Sequence, residues 1–341
     1  MRGVVFSGDR ELSVEEFPQP EPGPRQVVIR MEAAGLCGSD LRPYRSSPEA
    51  LGPRTSVIAG HEPCGTVEEV GAQVRKVKVG DRIMVHHYSG CGHCQHCQAG
   101  WTQLCANGSK VYGSHAHGGF ADRELVEDYM CVPMPDELSF EEGAACSCGT
   151  GTAYQALKRL GISGLDTLAV FGQGPVGLSA TFLGAVMGAR IIAVDPISER
   201  RRLAEGLGAW QTIDPSHTDP VEAIKELTQG QGADASLDAT GIAEARANAV
   251  RSTRIWGRAC LVGEGGDVTF EPTPDIIHRQ LTLFGSWTFS TGILEELGNF
   301  IVQRQLPLSD LITHRFSLEH AEEAFKLFES GATGKVVFTW P

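Results

Sequence analysis

The stretch that decides the fold of the second half of the chain is Gly172-Gln173-Gly174-Pro175-Val176-Gly177. It follows the apolar run 167–171 and opens a predicted helix at about 175–187, as a G-x-G-x-x-G turn between a strand and a helix does. Gly172 permits the tight turn, Gly174 lets a pyrophosphate approach the backbone, and Gly177 lets the helix pack closely against the strand. Because the helix N-terminus also favours phosphate charge, the turn predicts a dinucleotide site.

Asp195 indicates which dinucleotide this is. It ends the next predicted strand, 18 residues after Gly177, and its carboxylate can accept hydrogen bonds from an adenosine ribose while repelling the 2′-phosphate of NADP. Arg200 and Arg201 leave NADP open because a nearby cation could pair with that phosphate, although Arg200 can equally contact the ribose of NAD. A solvated helix face is the other interpretation of Arg201. We therefore expect NAD rather than NADP, with the strand end at Val262-Gly263 completing the site.

The residues around this turn alternate between short apolar runs and amphipathic stretches, from about residue 165 to residue 263. Such alternation is typical of a doubly wound α/β domain, in which helices cover both faces of a parallel sheet. Residues 1–85 instead contain short alternating strands separated by turn residues, which is typical of an antiparallel barrel or sandwich. At 341 residues the chain is longer than one domain usually is, so we expect two domains.

The composition fits a soluble globular enzyme, with 41% hydrophobic and 21% charged residues. The net charge of −13 argues against nucleic acid as a partner, because an acidic chain repels phosphate backbones. No run of about 18 uncharged apolar residues is present, so no membrane partner is expected. The start, Met1-Arg2-Gly3-Val4, lacks the apolar core of a signal peptide, and we expect a cytoplasmic location.

A cluster of cysteines carries the strongest single signal. Cys91, Cys94, Cys97 and Cys105 form a Cys-x2-Cys-x2-Cys-x7-Cys array. Four thiolates from one short loop can close a tetrahedron around zinc and leave no position for water, as in a structural zinc site. An iron–sulfur or redox site is the alternative, although only one such array is present. The intervening His93 and His96 are expected to be bystanders, and other cysteines to be small buried side chains, namely Cys64, Cys131, Cys146 and Cys260.

The candidate reacting centre is Gly60-His61-Glu62, considered together with Cys37 and Cys148. An imidazole beside a carboxylate, with thiolates folding in from both sides, can hold zinc while leaving one position open for a substrate oxygen. A lone His-Glu pair is weak evidence, because most such pairs are solvated surface or core histidines. The interpretation therefore depends on the rest of the chain.

Together these features resemble the zinc-dependent medium-chain dehydrogenase/reductase family, which includes alcohol, sorbitol and threonine dehydrogenases. The resemblance covers essentially the whole chain. Besides the cysteine loop and the glycine turn, it rests on four motifs: Gly35-Leu36-Cys37-Gly38-Ser39-Asp40, Gly60-His61-Glu62, Val79-Gly80-Asp81-Arg82 and Gly118-Gly119-Phe120-Ala121. It implies a GroES-like β-barrel catalytic domain at 1–149 with a structural zinc loop at 91–105, a doubly wound Rossmann NAD-binding domain at 150–288, and a C-terminal return to the catalytic domain at 289–341.

The resemblance also implies the roles of the residues around the reacting centre. Cys37, His61 and Cys148 would be the ligands of a catalytic zinc, with Glu62 as an adjacent carboxylate that ligates the metal in some states. Cys146 is the competing choice for the third ligand. Ser39 would take the proton from the zinc-bound alcohol, since a hydroxyl both accepts and donates.

Arg42 stands where many family members have a histidine that relays this proton. A guanidinium cannot act as a base near neutral pH. Either the proton leaves through water or another group, or Arg42 binds an anionic or polyhydroxylated substrate. An arginine that simply faces solvent is the remaining alternative.

The sequence thus predicts a zinc- and NAD-dependent dehydrogenase with two zinc ions per chain. Its substrate would be a secondary alcohol or polyol, reversibly oxidised to a ketone, or else a primary alcohol oxidised to its aldehyde. Family members are dimers or tetramers, so a homo-oligomer is expected, with a tetramer favoured by analogy alone. The alternatives are a zinc-independent reductase of the same superfamily, acting on an activated alkene, and a catalytically silent NAD-binding protein.

Overall fold

The computed structural model describes residues 1–341 and contains two compact units. The first unit comprises residues 1–151, 288–330 and 335–341, and the second comprises residues 152–287 and 331–334. No helix in the structure has both the length and the apolar character needed to cross a bilayer.

The first unit is mainly β, as the turn-separated alternation of residues 1–85 predicts. Its N-terminal part contains nine strands: β1 Arg2–Gly8, β2 Glu11–Glu16, β3 Gln26–Gly35, β4 Pro63–Val70, β5 Arg82–Val85, β6 Tyr88–Ser89, β7 Lys110–Val111, β8 Arg123–Glu127 and β9 Cys131–Pro133. It also contains short helices: α1 Leu41–Arg45, α2 Pro48–Leu51, α3 Gln95–Gln98 and α4 Phe140–Ala145. A π turn, Cys146–Thr150, follows α4.

The second unit begins within α5 (Gly151–Leu160) and contains a six-stranded parallel sheet. Its elements alternate along the chain: β10 Thr167–Phe171, α6 Pro175–Val186, β11 Arg190–Val194, α7 Ser198–Gly206, β12 Ala209–Ile213, α8 Pro220–Leu227, β13 Ala233–Asp238, α9 Ala243–Ser252, β14 Thr253–Leu261 and β15 Thr282–Gly285. The strand order β12-β11-β10-β13-β14-β15 confirms the predicted doubly wound fold. The order reverses at β10, which is where such sheets bind ligands, and β10 leads directly into the glycine turn.

The chain then returns to the first unit through α10 Thr291–Gln303, β16 Ile312–Phe316, α11 Ala321–Ser330 and β17 Lys335–Thr339. The returning β17 pairs with β3, so that one sheet runs β16-β17-β3-β4-β5-β9, with β8 also paired to β3. Most residues of the central β3 are buried, because its apolar side chains face the core on both sides of the sheet. This sheet places the ends of β3, β4 and β17 next to one another, which positions the metal-site residues described below.

Glu124 is an unusual member of this core. It lies on β8 opposite Ile29, and its side chain is buried, as is that of Val126 two residues along the same strand. Neither of its carboxylate oxygens has a hydrogen-bond partner. Burial, together with the negative charge of Glu127, raises the pKa of Glu124 well above its usual value. The protonated carboxyl is therefore the form that the folded core favours.

Glu124→Gln is expected to stabilise the protein at alkaline pH and to have little effect below about pH 4, where glutamate is protonated in the folded and the unfolded chain alike. Because the pKa is raised in the folded state, wild-type stability falls as pH rises through that pKa. At pH 9 the expected gain is about 1–3 kcal/mol. Thermal unfolding from pH 4 to pH 9 measures it, with exposed Glu69→Gln as the control. Parallel pH curves for wild type and Glu124→Gln would contradict this assignment.

Candidate metal centres and nucleotide site

The first candidate metal centre is a buried group of four side chains. Cys37 follows β3, His61 and Glu62 precede β4, and Cys148 lies in the π turn after α4. One potential ligand atom from each residue lies within 4.8 Å of the other three. The two sulfur atoms of Cys37 and Cys148 are 4.0 Å apart. A disulfide would need about 2 Å, whereas two thiolates on a tetrahedral zinc are about 3.8 Å apart, so the spacing fits a metal.

Cys148, rather than the alternative Cys146, belongs to this group. The π turn carries both residues, and wide turns of this kind are frequent at functional sites because they shift side chains out of helical register. Cys146 is fully buried and lies outside the group of converging ligand atoms, so geometry favours Cys148.

Asp40 orients the imidazole of His61 and connects it to Cys37. Its Oδ1 lies 3.0 Å from His61 Nδ1, and its Oδ2 accepts a hydrogen bond of 2.9 Å from the backbone N–H of Cys37. A carboxylate only accepts when ionised, so Nδ1 carries the hydrogen and Nε2 presents its lone pair, as in many metal-binding histidines. Burial lowers the pKa of His61, but the charges and hydrogen bonds of Asp40 and Cys37 outweigh it and raise the pKa well above the usual value, so a cation bound at Nε2 would take the place of the proton that these anions attract. Such an anionic donor set favours a divalent cation.

Glu62 has a buried cationic partner that the sequence did not predict. Its carboxylate contacts the ammonium group of Lys335, which begins β17 and donates a further hydrogen bond of 3.0 Å to the carbonyl of Leu36. A Cβ at Gly35 would overlap the Glu62 carboxylate and press on the Lys335 side chain, so glycine leaves room for the pair. Burial raises the pKa of Glu62 to about 8, against the opposing effect of Lys335. Glu62 is therefore close to the candidate metal but already paired.

Ser39 lies at the accessible side of the same group. Its Oγ is 3.2 Å from His61 Nε2, and its side chain is exposed, unlike the four candidate ligands. Arg42, on α1, is also exposed and forms no ion pair. Both residues are thus accessible to water, but only Ser39 reaches a ligand atom.

The second candidate centre is the four-cysteine loop. The sulfur atoms of Cys91, Cys94, Cys97 and Cys105 lie within 4.8 Å of one another, and all four are free thiols. Backbone N–H groups of His93 and Cys94 lower the pKa of Cys91 to about 5, which favours the thiolate that binds metal, whereas burial raises the pKa of Cys97 to about 12. His93 and His96 take no part in the sulfur cluster and contact nearby loop groups instead. Four converging thiolates fit a closed tetrahedral zinc site.

The predicted nucleotide turn adopts the geometry that its glycines require. Gly172 has a left-handed φ of +85°, and a Cβ there would lie 2.6 Å from Thr240 Cγ2. A Cβ at Gly177 would overlap the carbonyl oxygen of Gly172, whereas nothing lies within 4 Å of a Cβ at Gly174. The backbone is therefore tightly packed on the inner side of the turn and open beside Gly174, where Pro175 and Val176 begin α6.

Asp195 lies beside this turn. Its Oδ2 accepts a hydrogen bond of 2.7 Å from the N–H of Gln173, and its Oδ1 accepts one of 2.8 Å from the N–H of Ile197. Arg200 Nη1 is 3.8 Å from the carboxylate. Arg201 does not lie on a free helix face, because it donates to the Asp195 carbonyl and pairs with Asp214. Val262 is buried at the end of β14, and its N–H donates to the Asp238 carbonyl.

These observations can now be compared with known proteins. The family model for the alcohol dehydrogenase GroES-like domain matches residues 23–136, and the model for zinc-binding dehydrogenases matches residues 175–303. The zinc-type alcohol dehydrogenase-like protein YphC of Escherichia coli K12 is 40% identical over 350 residues, which covers 100% of this chain and 99% of YphC. The chain belongs to the zinc-dependent medium-chain dehydrogenase/reductase family. The predicted family is thus confirmed.

Solved structures of an alcohol dehydrogenase and a butanediol dehydrogenase share the same fold. Alcohol dehydrogenase TADH from Thermus sp. ATN1 is 28% identical with a TM-score of 0.92, and the match covers 99% of each chain. The 2R,3R-butanediol dehydrogenase of Bacillus subtilis is 29% identical with a TM-score of 0.86, covering 100% of this chain and 99% of the other. The predicted GroES-like and Rossmann parts of the fold are therefore confirmed as well.

Several residues of this dehydrogenase escaped the sequence analysis. Asp40 contacts Cys37 and His61 of the first candidate metal centre, and Lys335 pairs with its Glu62. We call this group of Cys37, His61, Glu62 and Cys148 the mononuclear centre. In the second unit, buried Asp238 accepts hydrogen bonds from the N–H groups of Thr240 and Gly241, and Arg246 lies 3.4 Å from its carboxylate. This pair fixes the loop that contacts Gly172. The only sequence signal for Asp40 was that it ends the motif Gly35-Leu36-Cys37-Gly38-Ser39-Asp40. No sequence pattern indicated a role for Lys335 or Arg246.

Proposed function

We propose that this chain is a zinc- and NAD-dependent dehydrogenase that reversibly oxidises a secondary alcohol or polyol to a ketone. The observation that carries the proposal is the buried Cys37, His61 and Cys148 group with the exposed Ser39 hydroxyl 3.2 Å from His61 Nε2. These three donors fit an open zinc site of the catalytic type. When bound, zinc supplies Lewis acidity to the substrate oxygen, and the nicotinamide supplies a hydride acceptor.

Residues of the chain itself orient the metal ligand and transfer the proton. Asp40 keeps the His61 lone pair directed at the metal position, and Ser39 takes the proton from the substrate hydroxyl. Because Ser39 is exposed, its hydroxyl can pass that proton to water, so the missing relay histidine at position 42 is not needed. The catalytic role then belongs to residues 1–149 and 289–341, and the nucleotide role to residues 150–288.

NAD is proposed over NADP because the Asp195 carboxylate lies beside the glycine turn, where it would repel a 2′-phosphate. Gly172, Gly174, Pro175, Val176 and Gly177 would hold the pyrophosphate, with Arg200 at the ribose and Val262 at the end of β14. The four-cysteine loop would hold a second, structural zinc through Cys91, Cys94, Cys97 and Cys105.

A homo-oligomer is proposed from the edge of the second sheet. The edge strand β15 has unpaired backbone groups, and large apolar side chains near it are exposed, including Trp256 at 69%, Ile255 at 57% and Ile277 at 56%. A second copy of the chain would cover them, as a dimer or as part of a tetramer. Light scattering of the purified protein gives the oligomeric state.

All ten cysteines are free, which suits a reducing compartment such as the cytoplasm.

A screen of NAD reduction over sugar alcohols, cyclitols, amino alcohols and simple secondary alcohols tests the function. We expect turnover with NAD and a much lower kcat/KM with NADP, in protein containing two zinc ions per chain. Well under one zinc per chain would favour the zinc-independent reductase. Zinc-loaded protein that binds NADH but oxidises no alcohol would favour the silent NAD-binding protein.

Arg42→Ala is expected to lower kcat/KM about 10–100-fold for an anionic or polyhydroxylated substrate and to leave simple secondary alcohols unchanged. The reason is that Arg42 is exposed without an acidic partner, so its guanidinium is available, and a hydrogen bond to a charged group contributes about 1.5–3 kcal/mol. Steady-state kinetics on the same substrate panel measure the effect, with Arg42→His as the comparison. Equal rates for every substrate would show that Arg42 only faces solvent.

A further inference from the structure

Two adjacent histidines of the first unit, His86 and His87, have no role in the proposed chemistry. They follow β5, and both side chains are buried. Their rings are nearly parallel, with centroids 5.7 Å apart and an interplanar angle of 16°. Burial lowers the pKa of His86 to about 4, so its imidazole is neutral and carries a single N–H.

His86 contacts the four-cysteine loop. Its Nε2 is 2.8 Å from the carbonyl of Phe289, which can only accept, so Nε2 carries the hydrogen. Its Nδ1 accepts a hydrogen bond of 3.4 Å from the N–H of Tyr88 and lies 3.3 Å from the hydroxyl of Thr102. Thr102 lies between the third and fourth cysteines of the loop, and its hydroxyl donates to the Tyr88 carbonyl. Gln103 donates to the same Phe289 carbonyl over 2.9 Å. The inner side of the cysteine loop is thus held against His86 by buried polar contacts.

His87 contacts the mononuclear centre. Its Nδ1 donates to the carbonyl of Ser147 over 3.0 Å, and Ser147 directly precedes the candidate ligand Cys148. Its ring centroid lies 5.1 Å from that of His61. The Ser147 hydroxyl is within hydrogen-bond distance of two carbonyls, that of Gly143 at 3.0 Å and that of Pro63, two residues after His61, at 3.1 Å. His87 therefore touches the chain segments that present two of the three candidate ligands.

We propose that His86 and His87 are positioning residues that couple the four-cysteine loop to the mononuclear metal centre. Closing the cysteine tetrahedron would fix the positions of Thr102 and Gln103. Thr102 lies against the His86 ring, and Gln103 donates to the same Phe289 carbonyl as His86. The adjacent His87 ring in turn contacts the Ser147 carbonyl and the His61 imidazole. The inference rests on the proposed function in that both groups bind zinc. Groups that orient metal ligands typically change metal affinity about 10–100-fold when removed.

A coupling of this kind is reciprocal. If an ordered cysteine loop raises the affinity of the mononuclear centre for zinc, then zinc in the mononuclear centre raises the affinity of the loop by the same factor. If the zinc of the four-cysteine loop stabilised only that loop, the zinc affinity of each site would not depend on occupancy of the other. The two zinc affinities, rather than the rate of the loaded enzyme, therefore distinguish the two cases.

Competition of the holoenzyme with a chromogenic chelator measures both zinc affinities. His86→Phe, which removes the contacts to Phe289 and Thr102, is expected to weaken zinc binding at the mononuclear centre about 10–100-fold and to weaken the loop site by a similar factor. His86→Gln, whose amide can still donate to the Phe289 carbonyl, is expected to retain most of the wild-type affinity. Cobalt substituted at the mononuclear centre should show an altered thiolate absorption in His86→Phe but not in His86→Gln.

Thr102→Val is the milder variant, because it keeps the side-chain shape and removes only the hydroxyl, which lies 3.3 Å from His86 Nδ1 and donates to the Tyr88 carbonyl. It decides the question if His86→Phe does not fold. His117→Phe is the matched control, since His117 accepts a hydrogen bond from the N–H of Ile58 and belongs to neither metal group. Unchanged affinities at both sites in Thr102→Val and in folded His86→Phe would overturn the proposal. A wild-type protein that binds no zinc would instead overturn the proposed function.

Discussion

Ser39→Ala is expected to lower kcat/KM for alcohol oxidation by about 10²–10⁴-fold, the usual contribution of a positioned proton-transfer group. The Ser39 hydroxyl is the one exposed proton-transfer group that reaches a candidate ligand atom, at 3.2 Å from His61 Nε2. Alanine removes the hydroxyl and leaves the three candidate ligands and Asp40 in place. The loss should appear mainly in kcat, because the hydroxyl acts on a proton that moves during the reaction.

Ser39→Thr is the matched control, since it keeps a hydroxyl on the same carbon and should retain most of the activity. Zinc content and the affinity for NADH, measured by fluorescence titration, are expected to be unchanged in both variants because the nucleotide turn lies in the other unit of the chain. A Ser39→Ala enzyme that keeps the wild-type kcat would show that the proton leaves by a different group. Lost zinc in Ser39→Ala would point to a role in metal binding.

The parts that the sequence predicted well are those whose geometry is local. The glycine turn needs only its own six residues and the strand and helix beside it, and the spacing of Cys91 to Cys105 nearly determines their convergence. The order of the strands in either sheet was not predictable in this way. It depends on long-range pairing such as that of β17 with β3, which joins the two ends of the chain.

The site residues that escaped prediction act through contacts distant in sequence. Lys335 reaches the Leu36 carbonyl over a separation of 299 residues, and a lysine that begins a strand normally points to solvent. His86 and Phe289 are 203 residues apart. Glu124 follows the alternation of β8 into the core, against the usual preference of a carboxylate for water. Such residues become visible only when the partners that surround them are known.

Lys335→Met is expected to destabilise the first unit by about 3–5 kcal/mol, because it leaves the buried Glu62 carboxylate without its cationic partner. This corresponds to a fall in Tm of about 6–20 °C for a unit of this size. Thermal unfolding of equally zinc-loaded proteins at pH 9, above the pKa of Glu62 and therefore with its carboxyl ionised, measures it. The double variant Glu62→Gln/Lys335→Met removes both charges and should recover most of the loss, whereas exposed Lys326→Met should have little effect. If the double variant is as unstable as Lys335→Met, the lysine stabilises the fold by packing and by its hydrogen bond to Leu36, and not by neutralising the charge of Glu62.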